Sequence, residues 1–165
     1  MSVAALHWIS AAFIGGLAVA GFVMADLPEA SGARLQLSRL HSVGGLSLMV
    51  LTVARLVVRL RANPPAPLPL TDLHRRGVAV VHGLIYAVIF GIGASGALTG
   101  ARSAWPEYLR GELAQAPALG TMASREVHEA LVFMLVGLVL LHVAGMALQH
   151  VRRGGVLQRM VPFLK

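Results

Sequence analysis

Long apolar runs alternate with short polar joints along this chain. Residues 3–25, 77–101 and 130–151 carry no Asp, Glu, Lys or Arg, and 40–60 carries only Arg55 and Arg59 toward its far end. Each run is long enough for the ~20 residues of helix that cross a hydrocarbon core. The pattern predicts an all-α integral membrane protein, a four-transmembrane-helix bundle in a single domain over 1–165, with helices at about 3–26, 39–61, 73–101 and 125–152. The joints differ in kind. Residues 27–38 form a short link with Pro28 and Gly32, and the second helix is expected to start near Ser38. Residues 63–70, Asn-Pro-Pro-Ala-Pro-Leu-Pro-Leu, read as a stiff extended link ending on Thr71-Asp72, good capping chemistry for the third helix. The longest joint, 102–124, holds Trp105, Pro106 and Tyr108, whose rings suit the headgroup layer.

Composition agrees with this pattern. Hydrophobic residues make up 56% of the chain and charged residues 13%, and the mean hydropathy is +0.73, far from an ordinary soluble domain. No basic residue precedes the first run, and Asp26-Leu27-Pro28-Glu29 follows it in place of a cleavage motif, so it is expected to be a permanent helix. The absence of cysteine excludes disulfides, thiolate metal sites and covalent c-type haem attachment.

Charge adds an orientation. Arg55, Arg59, Arg61, Arg75, Arg76, Arg152, Arg153, Arg159 and Lys165 collect on one side, with Asp72 as its only acid. The other side mixes Arg34, Arg39, Arg102, Arg110 and Arg125 with Asp26, Glu29, Glu107, Glu112, Glu126 and Glu129. The positive-inside rule makes the first side, and both termini, cytoplasmic. The net charge of +7 then reflects topology and contact with anionic lipid; no soluble basic domain exists to hold nucleic acid.

The histidines carry the candidate chemistry. His128 and His142 lie fourteen residues apart, a rise of roughly 21 Å that returns a side chain to within about 40° of its starting direction. One helix can thus present two imidazoles at two depths. His41 and His128, on helices entering from the outer side, form an outer pair. His142 lies at an inner depth with His7 and His82, either of which can partner it, while His74 and His150 sit at the inner edge. A single buried histidine is more often a packing residue than a ligand. Five at two depths are costly in a bilayer and point to a cofactor. Imidazole pairs from facing helices are how a bundle holds six-coordinate b-type haem. Zinc fits less well, because neither thiols nor acids accompany these histidines. Gly44, Gly45, Gly83 and Gly145 leave room beside candidate ligands, although small residues also serve helix packing. Haem propionates need cationic partners, for which Arg39 and Arg125 are placed at the outer pair and Arg152 and Arg153 below the inner one. A haem-free transporter with histidine proton relays is the competing class; membrane-embedded acids and proline-broken midpoints, which would favour it, are absent from the runs.

His7-Trp8, His41-Ser42-Val43-Gly44-Gly45, Arg55-Leu56-Val57-Val58-Arg59-Leu60, His82-Gly83-Leu84-Ile85-Tyr86 and His128-Glu129 with His142 and His150 together resemble the bacterial cytochrome b561 family, four-helix di-haem quinone reductases that include a superoxide oxidase. The resemblance covers nearly the whole chain. It implies two haem b groups, with His41 and His128 as axial ligands of the outer and His7 and His142 of the inner. His82 and His150 are left near an inner quinone pocket, where a histidine can hydrogen-bond a carbonyl and relay a proton. It also implies electron transfer from a periplasmic donor, superoxide in the superoxide oxidase case, to ubiquinone. The cytochrome b subunits of membrane-bound hydrogenases and formate dehydrogenases share this core, so a periplasmic dehydrogenase or hydrogenase docked on 102–124 is the alternative donor.

Overall fold

A computed structural model describes residues 3–61 and 71–153. The helices are α1 (Val3–Asp26), α2 (Gly32–Arg61), α3 (Asp72–Ala101), the short α4 (Trp105–Arg110) and α5 (Ala123–Arg153). α1, α2, α3 and α5 are long and apolar enough to cross a membrane. The proline-rich link at 63–70 lies outside the described residues, as do Arg159 and Lys165 and the side chain of Arg153.

Local chemistry accounts for the helix starts. Thr71, with φ −61° and ψ 155°, caps α3 by accepting the His74 N–H on its hydroxyl. α2 begins at Gly32, earlier than the expected start near Ser38, because Ser31 offers the same capping chemistry two turns upstream: its Oγ accepts the Arg34 N–H at 3.2 Å. Arg34 then donates from Nη1 to the Leu27 carbonyl at 2.6 Å, holding the link against the new first turn. Ser38, instead of capping, is fully buried inside the helix beside Met24. His41 consequently lies more than two turns inside α2, not at its start.

The four spans pack as two hairpins, α1 on α2 and α3 on α5, joined where α2 meets α3. Leu48, Val88, Ile89 and Leu135 form the buried centre, with Phe13, Leu17, Met49, Leu131 and Leu138 packed around it. Leu135 stands seven residues from both His128 and His142, so this apolar layer lies midway between the two histidine levels. Val19, Leu46, Val50 and Leu140 are more than half exposed, as the outside of a bundle solvated by lipid requires. Hydroxyls inside the spans turn back onto their own helix. Ser10 donates to Leu6 O at 2.8 Å, Thr52 to Leu48 O at 2.7 Å and Thr99 to Ser95 O at 2.9 Å, which removes unpaired polar groups from an apolar medium.

α4 lies across the end of the bundle where α1 and α3 finish. Gly111 ends it with φ 83°, a left-handed conformation that glycine adopts without a Cβ penalty. Arg110 beyond the spans donates to Glu112 at 2.6 Å, and this hydrogen bond holds the exposed Glu112 carboxyl below the usual carboxylate range. Arg39 Nε donates to Leu109 O at 2.7 Å and Trp105 Nε1 to Ser42 Oγ at 3.1 Å, both tying α4 to α2. Tyr108 is 2% exposed, and its hydroxyl is buried with no hydrogen-bond partner. Tyr108→Phe is therefore expected to leave thermal stability in detergent unchanged or to raise it by up to about 1 kcal/mol, where loss of a partnered hydroxyl lowers it.

Candidate functional site

A cavity of roughly 2370 Å³ runs between the two hairpins, lined by His7, His41, His82, His128 and His142. Small-molecule sites occupy about 300–1,000 Å³, so this one has room for more than one large flat ligand. At the α4 end, His41 of α2 and His128 of α5 face each other across it, ring centres 6.3 Å apart and planes at 63°. At the opposite end, His7 of α1 and His142 of α5 repeat the arrangement at 6.3 Å and 66°. His82 of α3 stands closer to His142, at 5.0 Å.

These separations can be tested against an iron atom. With about 2.0 Å from metal to imidazole nitrogen and about 1.2 Å from nitrogen to ring centre, two imidazoles facing each other across one metal have centres about 6.4 Å apart. His41–His128 and His7–His142 meet that requirement, and His82–His142 is too close for it. Among the described residues, no three His, Asp or Glu side chains gather in the manner of a metal-ion site. The histidines are arranged as pairs.

A backbone contact fixes the tautomer of His128. Its Nδ1 bonds the Ile92 carbonyl on α3 at 3.0 Å, with Ser95 Oγ nearby at 3.4 Å. A carbonyl oxygen only accepts, so Nδ1 carries the proton and Nε2 keeps its lone pair free. Ser95 in turn donates to Ile92 O at 3.0 Å. Gly96 makes this approach possible: a Cβ there would lie 3.2 Å from His128 Cε1 and Nδ1. On the facing side a Cβ at Gly21 would sit 3.4 Å from His41 Cε1. The glycines chosen from sequence divide differently. Gly44 serves helix packing, its missing Cβ replaced by Leu17 Cδ2 at 2.9 Å, whereas Gly45, Gly83 and Gly145 face open space.

The other expected residues are scattered. Arg39 is engaged by Leu109 O, Arg125 lines the cavity while pairing with Glu129 at 2.6 Å, and Arg152 is exposed at the opposite end. His150 keeps Nδ1 buried without a partner, and His74 Nε2 meets the Gln149 amide at 3.1 Å. Arg55 is the contact that charge patterning hides, because its charge also suits an anchor on its side of the membrane. Its Nη2 donates to His7 Nδ1 at 2.7 Å, and its guanidinium lies 5.7 Å from the centre of the Tyr86 ring. The four-residue spacing of Arg55 and Arg59, which puts both on one helical face, is the signal in the sequence that marks them as a pair.

The comparisons agree with a helical membrane bundle. The family model described as prokaryotic cytochrome b561 matches residues 2–163. The chain belongs to the prokaryotic cytochrome b561 family. A curated relative, cytochrome b561 homolog 2 of Escherichia coli (strain K12), is 31% identical over 167 residues, covering 96% of this chain and 88% of the relative. No solved structure matches. As a b561 protein with four apolar spans, the chain is a multi-pass protein of the bacterial inner membrane and a haem b electron-transfer protein.

Proposed function

We propose that this b561 protein is a di-haem cytochrome that carries electrons across the membrane, with the α4 end facing the periplasm, from superoxide to ubiquinone. The carrying observation is the repeated 6.3 Å ring separation at two levels of one helix. His41 and His128 hold one haem in this reading, and His7 and His142 the other. Haem held by these imidazoles would supply one-electron transfer there. The Ile92 carbonyl keeps His128 in its metal-binding tautomer, and the layer around Leu135 lines the space between the two levels with apolar side chains.

The net reaction balances as two superoxide anions leaving as dioxygen, each having given one electron, while the quinone takes two electrons and two protons. The quinone is placed at the opposite end. His150, with an unpartnered buried Nδ1, and His82, left over by the pairing geometry, are the groups there able to bond a carbonyl and deliver protons. In purified protein, superoxide-dependent reduction of ubiquinone, slowed by His150→Ala with haem content unchanged, is the expected result. If no such activity appears and a soluble dehydrogenase or hydrogenase copurifies, the donor assignment is wrong and the subunit alternative replaces it.

A further inference from the structure

Arg55 lies within α2, six residues before its end, and carries a charge that no acid among the described residues neutralises. The ion pairs among the described residues involve Arg75, Arg110 and Arg125, not Arg55 or Arg59. The chain has seven acids, and six belong to the α4 end. The seventh, Asp72, is already bonded to Arg75. A guanidinium has five donors, and the hydrogen bond Arg55 makes goes to the neutral ring of His7. Unpaired cations inside a membrane span are costly and call for an anion. Tyr86 adds to the demand, since its hydroxyl is buried without a partner while the Arg55 and Arg59 guanidinium carbons stand 5.7 and 5.9 Å from its ring centre.

The Arg55–His7 bond also conflicts with the proposed ligand set. Arginine only donates, so Nδ1 of His7 must accept, and a neutral ring then keeps its proton on Nε2. Ligation through Nε2 needs the other tautomer. An iron shared by His7 and His142 therefore requires Arg55 to release His7 and to find an acceptor elsewhere.

Haem brings that acceptor as a propionate carboxylate, the partner a guanidinium binds in bidentate fashion. We infer that Arg55, stacked on Tyr86, binds a propionate of the haem held by His7 and His142, and that this exchange frees His7 for its metal-binding tautomer. This rests on the di-haem reading. Arg55 and Tyr86 then form a carboxylate clamp, with Arg59 flanking the same ring.

The test is a redox titration of purified holoprotein with haem b counted per chain. Arg55→Leu leaves a propionate carboxylate of one haem without its cation, which disfavours the reduced form of that haem. A roughly tenfold shift in one of two reduction equilibria, about 59 mV downward, is expected, with the other haem unchanged. Protein loaded with haem dimethyl ester, whose carboxylates are blocked, should show less than a third of that effect. An equal shift with both haems, or no shift with two haems bound, overturns the inference and leaves the di-haem reading standing. Fewer than two haems in the unsubstituted chain overturns both. Should Arg55→Leu fail to retain haem, Arg55→Lys and Tyr86→Phe carry the test. Both are expected to keep two haems and to shift the same equilibrium by about threefold, and unchanged titrations in both overturn the inference.

Discussion

His7→Ala is expected to lower haem b from about two to about one per chain, whereas His82→Ala keeps two. Both histidines face His142, and sequence placement alone left them equivalent. Ring separation distinguishes them: 6.3 Å matches two imidazoles facing each other across one metal, and 5.0 Å is too short for that arrangement. Haem content from alkaline pyridine spectra, taken on both variants at matched protein concentration, checks the pair. Loss of a haem in His82→Ala with two retained in His7→Ala would reverse the assignment. The His41–His128 haem should remain in both variants, since neither substitution touches that pair, which stands about two turns of α5 beyond Leu135.

Gly96→Val is expected to remove the haem at the α4 end and spare the other, again leaving about one per chain. A Cβ at this position meets the His128 ring at 3.2 Å, and valine adds two methyl groups that the ring cannot avoid without losing its bond to Ile92. The stiffness of a β-branched side chain in a helix leaves it little freedom to turn away. Gly96→Ala is the graded control: the ring gives by a few tenths of an ångström, so both haems remain and the spectrum of one shifts. Separate redox titrations of the two levels identify which haem has gone. Retention of both haems in Gly96→Val would mean that His128 is not held as described.

The candidate site was legible in sequence where one helix carried the information, and hidden where two helices shared it. The spacing of His128 and His142 follows from the helical repeat alone, and the uncharged runs declare the spans. The choice between His7 and His82 depends on how two hairpins lean together, which no periodicity encodes. The Ile92 carbonyl that sets the His128 tautomer is a backbone group, identical in every residue type, and so leaves no mark in the sequence. The start of α2 was displaced because Ser31 and Ser38 have equal capping chemistry, and the choice between them was made by packing against α1 and Met24. Arg55 shows the converse case, in which a correct reading of charge as topology concealed a side chain that touches a candidate ligand.

The most direct measurement is the amount of haem b per chain in protein purified in detergent. Two haems, falling to about one on replacement of His142, is the result expected of paired histidines at two levels of α5. A folded, helical protein with no haem would contradict it.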